Sequence, residues 1–304
     1  MNMKLKTDVS IFMTISFQIF FLTTALLQGC TGTSSKNPKE SVGSGAGAQG
    51  EHGVVRQSFI LPLGGNVAVW NEGSNFPEAF ALIEKGDVEG AERTARAELT
   101  KNPADPQAML ALSASLLMSR RIELANYYAT RLASLQSVEQ ASAKNIQGIS
   151  KMLFAVGTTR NEDFDDAATL FRDALASSDR QVAAALNLGE LELMRGRTGD
   201  SIAAFGQASD RCNECRPAVY GAGMAALRAR QFERARDSFK QLVKRDDKDD
   251  DAHYQLAVTD FYGFQDVDAA SRRLKDLATG STDSRIRAMA ESLLKKLRTP
   301  KDPS

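Results

Sequence analysis

The segment 183–205 reads AAALNLGELELMRGRTGDSIAAF, and the segment 217–239, which begins 34 positions later, reads PAVYGAGMAALRARQFERARDSF. Both segments have a glycine at the seventh position and a phenylalanine at the last, so Gly189 and Phe205 each have a counterpart in the second segment. A small residue lets two helix axes approach closely, and a bulky ring fills the space that remains. The pattern therefore predicts two helix pairs of the same construction.

The same pattern extends over residues 72–278. A small residue occupies the equivalent position of six first helices: Ala79, Ser113, Gly148, Gly189, Gly223 and Ala257. In the second helices, steps of 34, 34 and 35 residues separate Ala91 from Ala125, Ser201 from Ala235, and Ala235 from Ala270. A fixed period near this length is typical of a helix–turn–helix solenoid. Because no single pair has a closed core, neighbouring pairs must stack to bury their apolar faces.

These positions resemble the tetratricopeptide repeat. The resemblance covers 72–278 and implies an all-α, superhelical solenoid of about six repeats. Residues 279–304 follow as one more amphipathic helix and a tail, with the apolar residues Ile286, Met289, Leu293, Leu294 and Leu297 on one face. We interpret this helix as a solubilising cap at the carboxy-terminal end of the array.

The composition limits the kinds of function. Positive and negative side chains balance at 38 each, so no global field attracts nucleic acid or anionic lipid. The chain has only two histidines, which argues against most histidine-based catalysis and metal binding. We therefore expect no cofactor, no metal, no nucleic acid and no small-molecule substrate.

The amino terminus predicts that the protein is exported and anchored to a membrane. Residues 1–29 have two early lysines and then an apolar stretch, Ile11–Leu27, which is the pattern of a secretory signal. The ending Leu-Gln-Gly-Cys at 27–30 resembles a bacterial lipobox, and this resemblance implies that Cys30 is acylated and begins the mature chain. An uncleaved anchor helix and a cytosolic protein are the alternatives, since this stretch is at the lower limit for crossing a bilayer.

The segment after the lipobox predicts where the folded part lies. No aspartate follows Cys30, which in lipoproteins of this kind implies the outer membrane, here with the chain facing the periplasm. Residues 30–52 are rich in serine and glycine and nearly free of apolar side chains, so we expect a lipidated cysteine and a flexible tether.

The segment 53–71 is apolar and precedes the repeats. Its residues include Phe59, Ile60 and Trp70. It could cover the first repeat as an amino-terminal cap, or lie in the groove of the solenoid until it is displaced. The cap is the favoured prediction, because open solenoid ends need covering.

The first helices should line the concave side of the solenoid, which we call the groove. Several of them are apolar on the groove side as well as on the side that packs internally. The candidate groove residues are Leu110, Leu117, Met118, Leu186, Leu193, Met194, Tyr220, Met224, Leu227, Tyr254 and Phe261. Two interpretations remain open: neighbouring first helices bury these residues against each other, or the residues bind an apolar strand or amphipathic helix of a partner.

A pair of cysteines and a pair of glutamates are the remaining motifs that could carry chemistry. Cys212 and Cys215 lie close together in a turn between repeats, where an exported protein would favour a local disulfide, with two free thiols as the alternative. Glu190 and Glu192 are the nearest approach to a catalytic acid pair, but residues two apart on a helix face different directions. The sequence therefore does not predict an enzyme.

The leading hypothesis is a membrane-anchored scaffold or assembly factor that binds protein partners of an envelope complex. The chain looks like tetratricopeptide lipoproteins that serve pilus, secretion, motility or barrel-assembly machines. The alternatives are a structural tether between membrane and cell wall and, with less support, an enzyme that acts on the cell wall.

Overall fold

The computed structural model describes residues 55–57, 67–70, 76–135, 137, 139–158, 160–178 and 181–298. The predicted signal (1–29), Cys30 and the rest of the tether (to residue 52) lie outside the described residues. Within them, two short strands, β1 (Val55–Gln57) and β2 (Val67–Trp70), form an antiparallel pair.

Thirteen α-helices make up the rest of the described chain, and none of them is long and apolar enough to cross a bilayer. They form six pairs and one final helix: α1 Pro77–Glu84 with α2 Val88–Lys101, α3 Pro106–Met118 with α4 Ile122–Ala133, α5 Gln140–Thr158 with α6 Asn161–Ser177, α7 Val182–Met194 with α8 Thr198–Arg211, α9 Arg216–Arg228 with α10 Phe232–Arg245, α11 Asp250–Phe264 with α12 Val267–Gly280, and α13 Ser284–Arg298. Each helix packs against the next along the chain. The predicted all-α solenoid of about six repeats is therefore confirmed.

The turn inside a pair is built the same way in most pairs. One residue there adopts a positive φ, which stops the first helix and redirects the chain into the second. These residues are Gly86, Arg120, Gly196, Arg230 and Gln265. The left-handed conformation favours glycine, yet three of the five turns form with a longer side chain. The geometry of the pair, rather than glycine alone, fixes the turn.

Aspartates begin several of the helices. The side chains of Asp87, Asp105, Asp249 and Asp266 accept hydrogen bonds from the backbone N–H three residues ahead, at 2.7–3.1 Å. Each bond satisfies a donor that the first turn of a helix leaves without a partner. The acidic turn before α11 is thus a helix cap.

Phenylalanine rings fill the space between the helices of a pair, as the sequence predicts. Phe171, Phe205 and Phe239 are fully buried. Phe205 lies between two glycines: a Cβ atom on Gly189 would be 2.9 Å from its ring, and one on Gly221 of the next pair would overlap it. The small residues thus make room for a ring that joins two neighbouring repeats.

The third pair departs from the regular repeat. Helix α5 has 19 residues, whereas α3, α7 and α9 have 13 each. The extra length lies towards the end of α5, where Phe154 is half exposed. The extension delays the turn into α6 but leaves the packing of Phe171 against Gly148 in place.

Buried carboxylates also link neighbouring helices. Glu192 on α7 and Asp260 on α11 are each 1% exposed and lie 68 positions apart, so they occupy equivalent positions two repeats apart. Asp260 lies 2.9 Å from Arg236 Nε on α10 and 3.4 Å from Arg273 Nε on α12. Each buried acid therefore has an arginine partner on the preceding second helix, which for Glu192 is Arg172.

The described residues of the segment 53–71 pack on the middle of the array, as in the groove alternative, and the cap stays a prediction for the rest of the segment. Strand β2 packs against α5 and α7, the first helices of the third and fourth pairs. A strand carries backbone donors and acceptors that need partners. The middle of the solenoid contains buried polar side chains, among them Asn145 and Asn187.

Gly221→Ala tests the role of the ring between the repeats. Alanine is the better helix former, but its Cβ atom would displace the buried Phe205 ring, so we expect a loss of about 1–3 kcal/mol in the free energy of unfolding. Gly206→Ala on α8 is the matched control, because its Cβ atom would meet no neighbour within 4 Å. That variant should gain up to about 1 kcal/mol. Urea denaturation measures both, and equal effects of the two changes would contradict the packing role.

Asp260→Asn tests the buried carboxylate. The change removes a charge that two arginines share, and we expect the free energy of unfolding to fall by about 1–3 kcal/mol. The partly exposed arginines can turn to solvent, which keeps the loss below that of a fully buried pair. Asp276→Asn, at an exposed position of α12, should change stability by less than about 0.5 kcal/mol. A similar denaturation midpoint for the two variants would argue against the linking role.

Candidate functional site: the groove

The first helices of successive pairs contact one another from α1 through α11, and α11 contacts α13. They form one continuous face, which is the groove defined above. The helices that line it are apolar over most of their surface: residues 108–117 of α3 and 182–189 of α7 are all buried. A helix that is buried on both sides has neighbours in the solenoid on one side and something covering it on the other.

Strand β2 lies on the middle section of this face. It packs against α5 and α7, and on its other side it pairs with β1. In the pairing register, Arg56 lies opposite Ala68 and Gln57 opposite Val67. A segment of the chain itself therefore occupies the part of the groove between the third and fourth repeats.

Polar side chains lie among the apolar residues of this section. Asn187 Nδ2 on α7 donates a 2.8 Å hydrogen bond to Asn145 Oδ1 on α5, and both residues are completely buried. Near the start of the same helices, Gln181 Nε2 lies 3.4 Å from Ser142 Oγ, and these residues are also buried. Buried amides are costly unless they find hydrogen-bond partners, so an amide pair in an apolar face is a specific feature.

The polar row continues towards the second repeat. Gln107 on α3 donates a hydrogen bond to the Glu139 carboxylate, just before α5. Burial raises the pKa of Glu139, although hydrogen bonds from Gln107 and Ser142 act in the opposite direction. The floor of the groove thus combines apolar surface with a row of amide, hydroxyl and carboxyl groups across three first helices.

The carboxy-terminal section, over α9 and α11, has a different character. Arg216 holds Asp249 through two hydrogen bonds of 2.7 Å, and its guanidinium lies 5.2 Å from the centre of the Tyr220 ring. Burial raises the pKa of the Tyr220 hydroxyl, and it raises that of Tyr254 to about 12. Both phenols are therefore neutral at physiological pH and act as hydrogen-bonding apolar surface.

The structure divides the candidate groove residues into two sets. Leu110, Leu117, Leu186, Leu227 and Tyr254 are buried. Met118, Leu193, Met194, Tyr220, Met224 and Phe261 are half-buried. The first set contributes to packing between helices, and the second keeps part of its apolar surface accessible. The first set thus fits the packing interpretation, and partner binding by the second set stays a prediction.

The remaining sequence candidates lie away from the middle of the groove. Cys212 and Cys215 form a disulfide in the turn between α8 and α9, where both are buried. The carboxylate of Glu192 lies 3.0 Å from Arg172 Nη2 and 3.7 Å from Arg197 Nη1, so its contacts are those of a packing ion pair. Glu190, two residues earlier, is half-buried.

Sequence reasoning missed Asn145, Asn187, Ser142 and Gln181, because the groove residues were predicted from apolar side chains alone. A usable signal was present: Asn187 stands within a helix that is otherwise almost wholly apolar. A polar residue in such a helix must be bonded to something inside the fold. The position of β2 had no comparable signal, since an apolar segment before a solenoid fits a cap equally well.

Comparisons with known proteins agree with this architecture. A family profile described as tetratricopeptide repeat matches residues 160–214 and 220–270. A search of curated proteins found no match. Among solved structures, the chain is similar to pilF of Pseudomonas aeruginosa, with 14% identity over 72% of this chain and 95% of that one and a TM-score of 0.57. It is also similar to TTC0263, a tetratricopeptide repeat protein of Thermus thermophilus, with 16% identity, coverage of 60% and 96%, and a TM-score of 0.53.

A third similar structure is the Cut9–Hcn1 assembly of the APC/C, with 15% identity, coverage of 73% of this chain and 42% of that chain, and a TM-score of 0.55. Identities this low show a shared fold and nothing further. Residues 160–214 and 220–270 thus match the tetratricopeptide repeat profile, and the described helix pairs have the fold of the solved tetratricopeptide repeat structures.

Proposed function

We propose that this protein is a lipid-anchored scaffold that binds protein partners of an envelope complex through its groove. The observation that carries the proposal is the strand β2 seated on α5 and α7. It supports the proposal because a segment in extended conformation already packs on this face. Solenoids of this kind use their concave surfaces to bind other proteins.

The half-buried residues of the carboxy-terminal section suit a partner. Met224 and Phe261 offer accessible apolar surface, and Tyr220 adds a polar group to an apolar ring. Methionine adapts its shape to different contacts, and tyrosine is frequent in interfaces. Apolar surface that stays accessible along a continuous groove is typical of an interaction site.

The anchor is proposed from the sequence before the repeats. Residues 1–29 have the pattern of an export signal, and Cys30 stands where acylation would occur. The disulfide between Cys212 and Cys215 supports export, because such bonds persist in oxidising compartments such as the periplasm. We therefore propose that the chain is held at the outer membrane by acylated Cys30 and faces the periplasm.

The cellular process is proposed only as a class. The similarity to pilF concerns the fold, so it does not select pilus assembly over secretion, motility or barrel assembly. What these classes share is a membrane-bound array that holds a partner during assembly. A structural tether between membrane and wall remains the alternative. Substitutions in the groove distinguish the two, because a tether would tolerate them and a scaffold would lose its partner.

Cys30→Ser tests the anchor. In bacteria given labelled palmitate, we expect the intact chain to carry the label and to sediment with membranes, and the variant to lose both properties. Acyl chains provide about 0.8 kcal/mol for each buried CH2 group, so their loss should release the chain. Cys212→Ser with Cys215→Ser is the matched control and should keep the label. Labelling of the Cys30→Ser variant would contradict the anchor.

Met224→Asp tests the groove. A charge on this half-buried surface should lower the recovery of crosslinked partners about tenfold or more, since burying an unpaired carboxylate costs several kcal/mol. Leu124→Asp on the second helix α4, where Leu124 is 46% exposed, is the matched control and should recover partners as the unchanged protein does. Both variants should keep the helical circular dichroism spectrum. Undiminished recovery with Met224→Asp would favour the tether.

A further inference from the structure

The occupied section of the groove indicates what conformation its ligands take. Strand β2 has four residues, Val67–Trp70, and a β-strand rises about 3.3 Å per residue, so it spans roughly 13 Å. Neighbouring packed helices lie about 8–10 Å apart, so the four first helices α5, α7, α9 and α11 present a face of roughly 30 Å. The strand is thus shorter than the face on which it lies.

The floor under β2 has the chemistry of a site for main chain. Strand β1 pairs with one edge of β2, and the N–H and C=O groups on the other edge need partners of their own. Asn145 and Asn187 lie on the two helices that β2 contacts, and each amide carries both donors and an acceptor. A site that bonds to main chain accepts different sequences, provided that their backbone is extended.

The contact that holds β2 is short. Three residues of β1 and four of β2 form the hairpin, and the register is interrupted between Val55 and Arg56. A two-stranded hairpin is only marginally stable by itself in water, so its place in the groove depends on α5 and α7. A longer extended segment that also reached the half-buried Met224 and Phe261 would bury more apolar surface than β2 does.

We propose that the groove binds a partner segment in extended conformation, roughly eight to ten residues long with alternating apolar side chains, and that Val67–Trp70 is a resident substitute which this segment displaces. The proposal rests on the proposed function, because it names the kind of partner that the groove takes. The resident strand keeps the amide floor covered while no partner is bound. Its tether gives it an effective concentration in the millimolar range, against which a partner must compete.

The experiment uses the full-length protein in detergent and a fluorescein-labelled peptide with the sequence of residues 64–73, GGNVAVWNEG. Ala68→Pro in the protein removes the backbone donor of a paired residue in the interior of β2, opposite Arg56, and should release the strand. The labelled peptide should then bind this variant about tenfold or more tightly than it binds the unchanged chain, because the tethered competitor is gone. A peptide with proline in place of Ala68 is the control and should bind neither protein.

A second measurement uses the single tryptophan of the chain, Trp70, which belongs to β2. An unlabelled peptide with phenylalanine in place of tryptophan, added to the unchanged protein, should shift the Trp70 emission as the strand leaves the groove. In an Ala68→Pro background, Asn145→Leu with Asn187→Leu should weaken peptide binding about tenfold, because the groove then offers the main chain no amide at these two positions.

The outcomes separate the two proposals. Equal peptide affinity for the unchanged chain and the Ala68→Pro variant would overturn the resident strand, and binding to neither protein would overturn the extended ligand. Unaltered affinity after the double asparagine change would show that the amides do not recognise main chain. The proposed function fails on a different result: Met224→Asp would leave the recovery of crosslinked partners unchanged.

Discussion

The fit of a phenylalanine ring between glycines determines how closely the repeats can stack. Phe205 is buried between Gly189 of its own pair and Gly221 of the next, where no side chain larger than hydrogen would leave the ring in place. One ring therefore fixes two distances: between the helices of a pair, and between the first helices of successive pairs. The second distance makes the groove a continuous face rather than a row of separate ridges.

The close approach also explains where charged groups occur in the interior. First helices that are buried on both sides leave few positions where a polar side chain reaches solvent. Glu192 and Asp260 lie near the ends of their helices, where arginines of the preceding second helices reach them from the surface. The ion pairs thus form at the edge of the close contact, and the amides Asn145 and Asn187 form their pair within it.

The sequence allowed the repeats to be predicted because their signal is periodic. Gly189 and Gly223, or Phe205 and Phe239, occur at one spacing, and a period is visible without knowing any tertiary contact. The position of β2 has no such signal, because it depends on how a segment of the chain meets helices about 80 to 120 residues later. The amides were missed for a related reason: their partners lie on different repeats, as in the bond between residues 145 and 187, which are 42 positions apart.

The polar floor also lowers the cost of the exchange proposed for this section of the groove. An apolar floor that lost its cover would expose its whole surface to water, at about 25 cal/mol for each Å². An amide that loses a backbone partner can bond to water instead, and the net change for one hydrogen bond is only about 0.5–1.5 kcal/mol. A face that carries Asn145, Asn187 and Gln181 among its apolar residues therefore opens at lower cost than a wholly apolar one. In the exchange proposed above, the same amides would bond to the main chain of an extended segment, so preference for that conformation and ease of exchange come from one feature of the sequence.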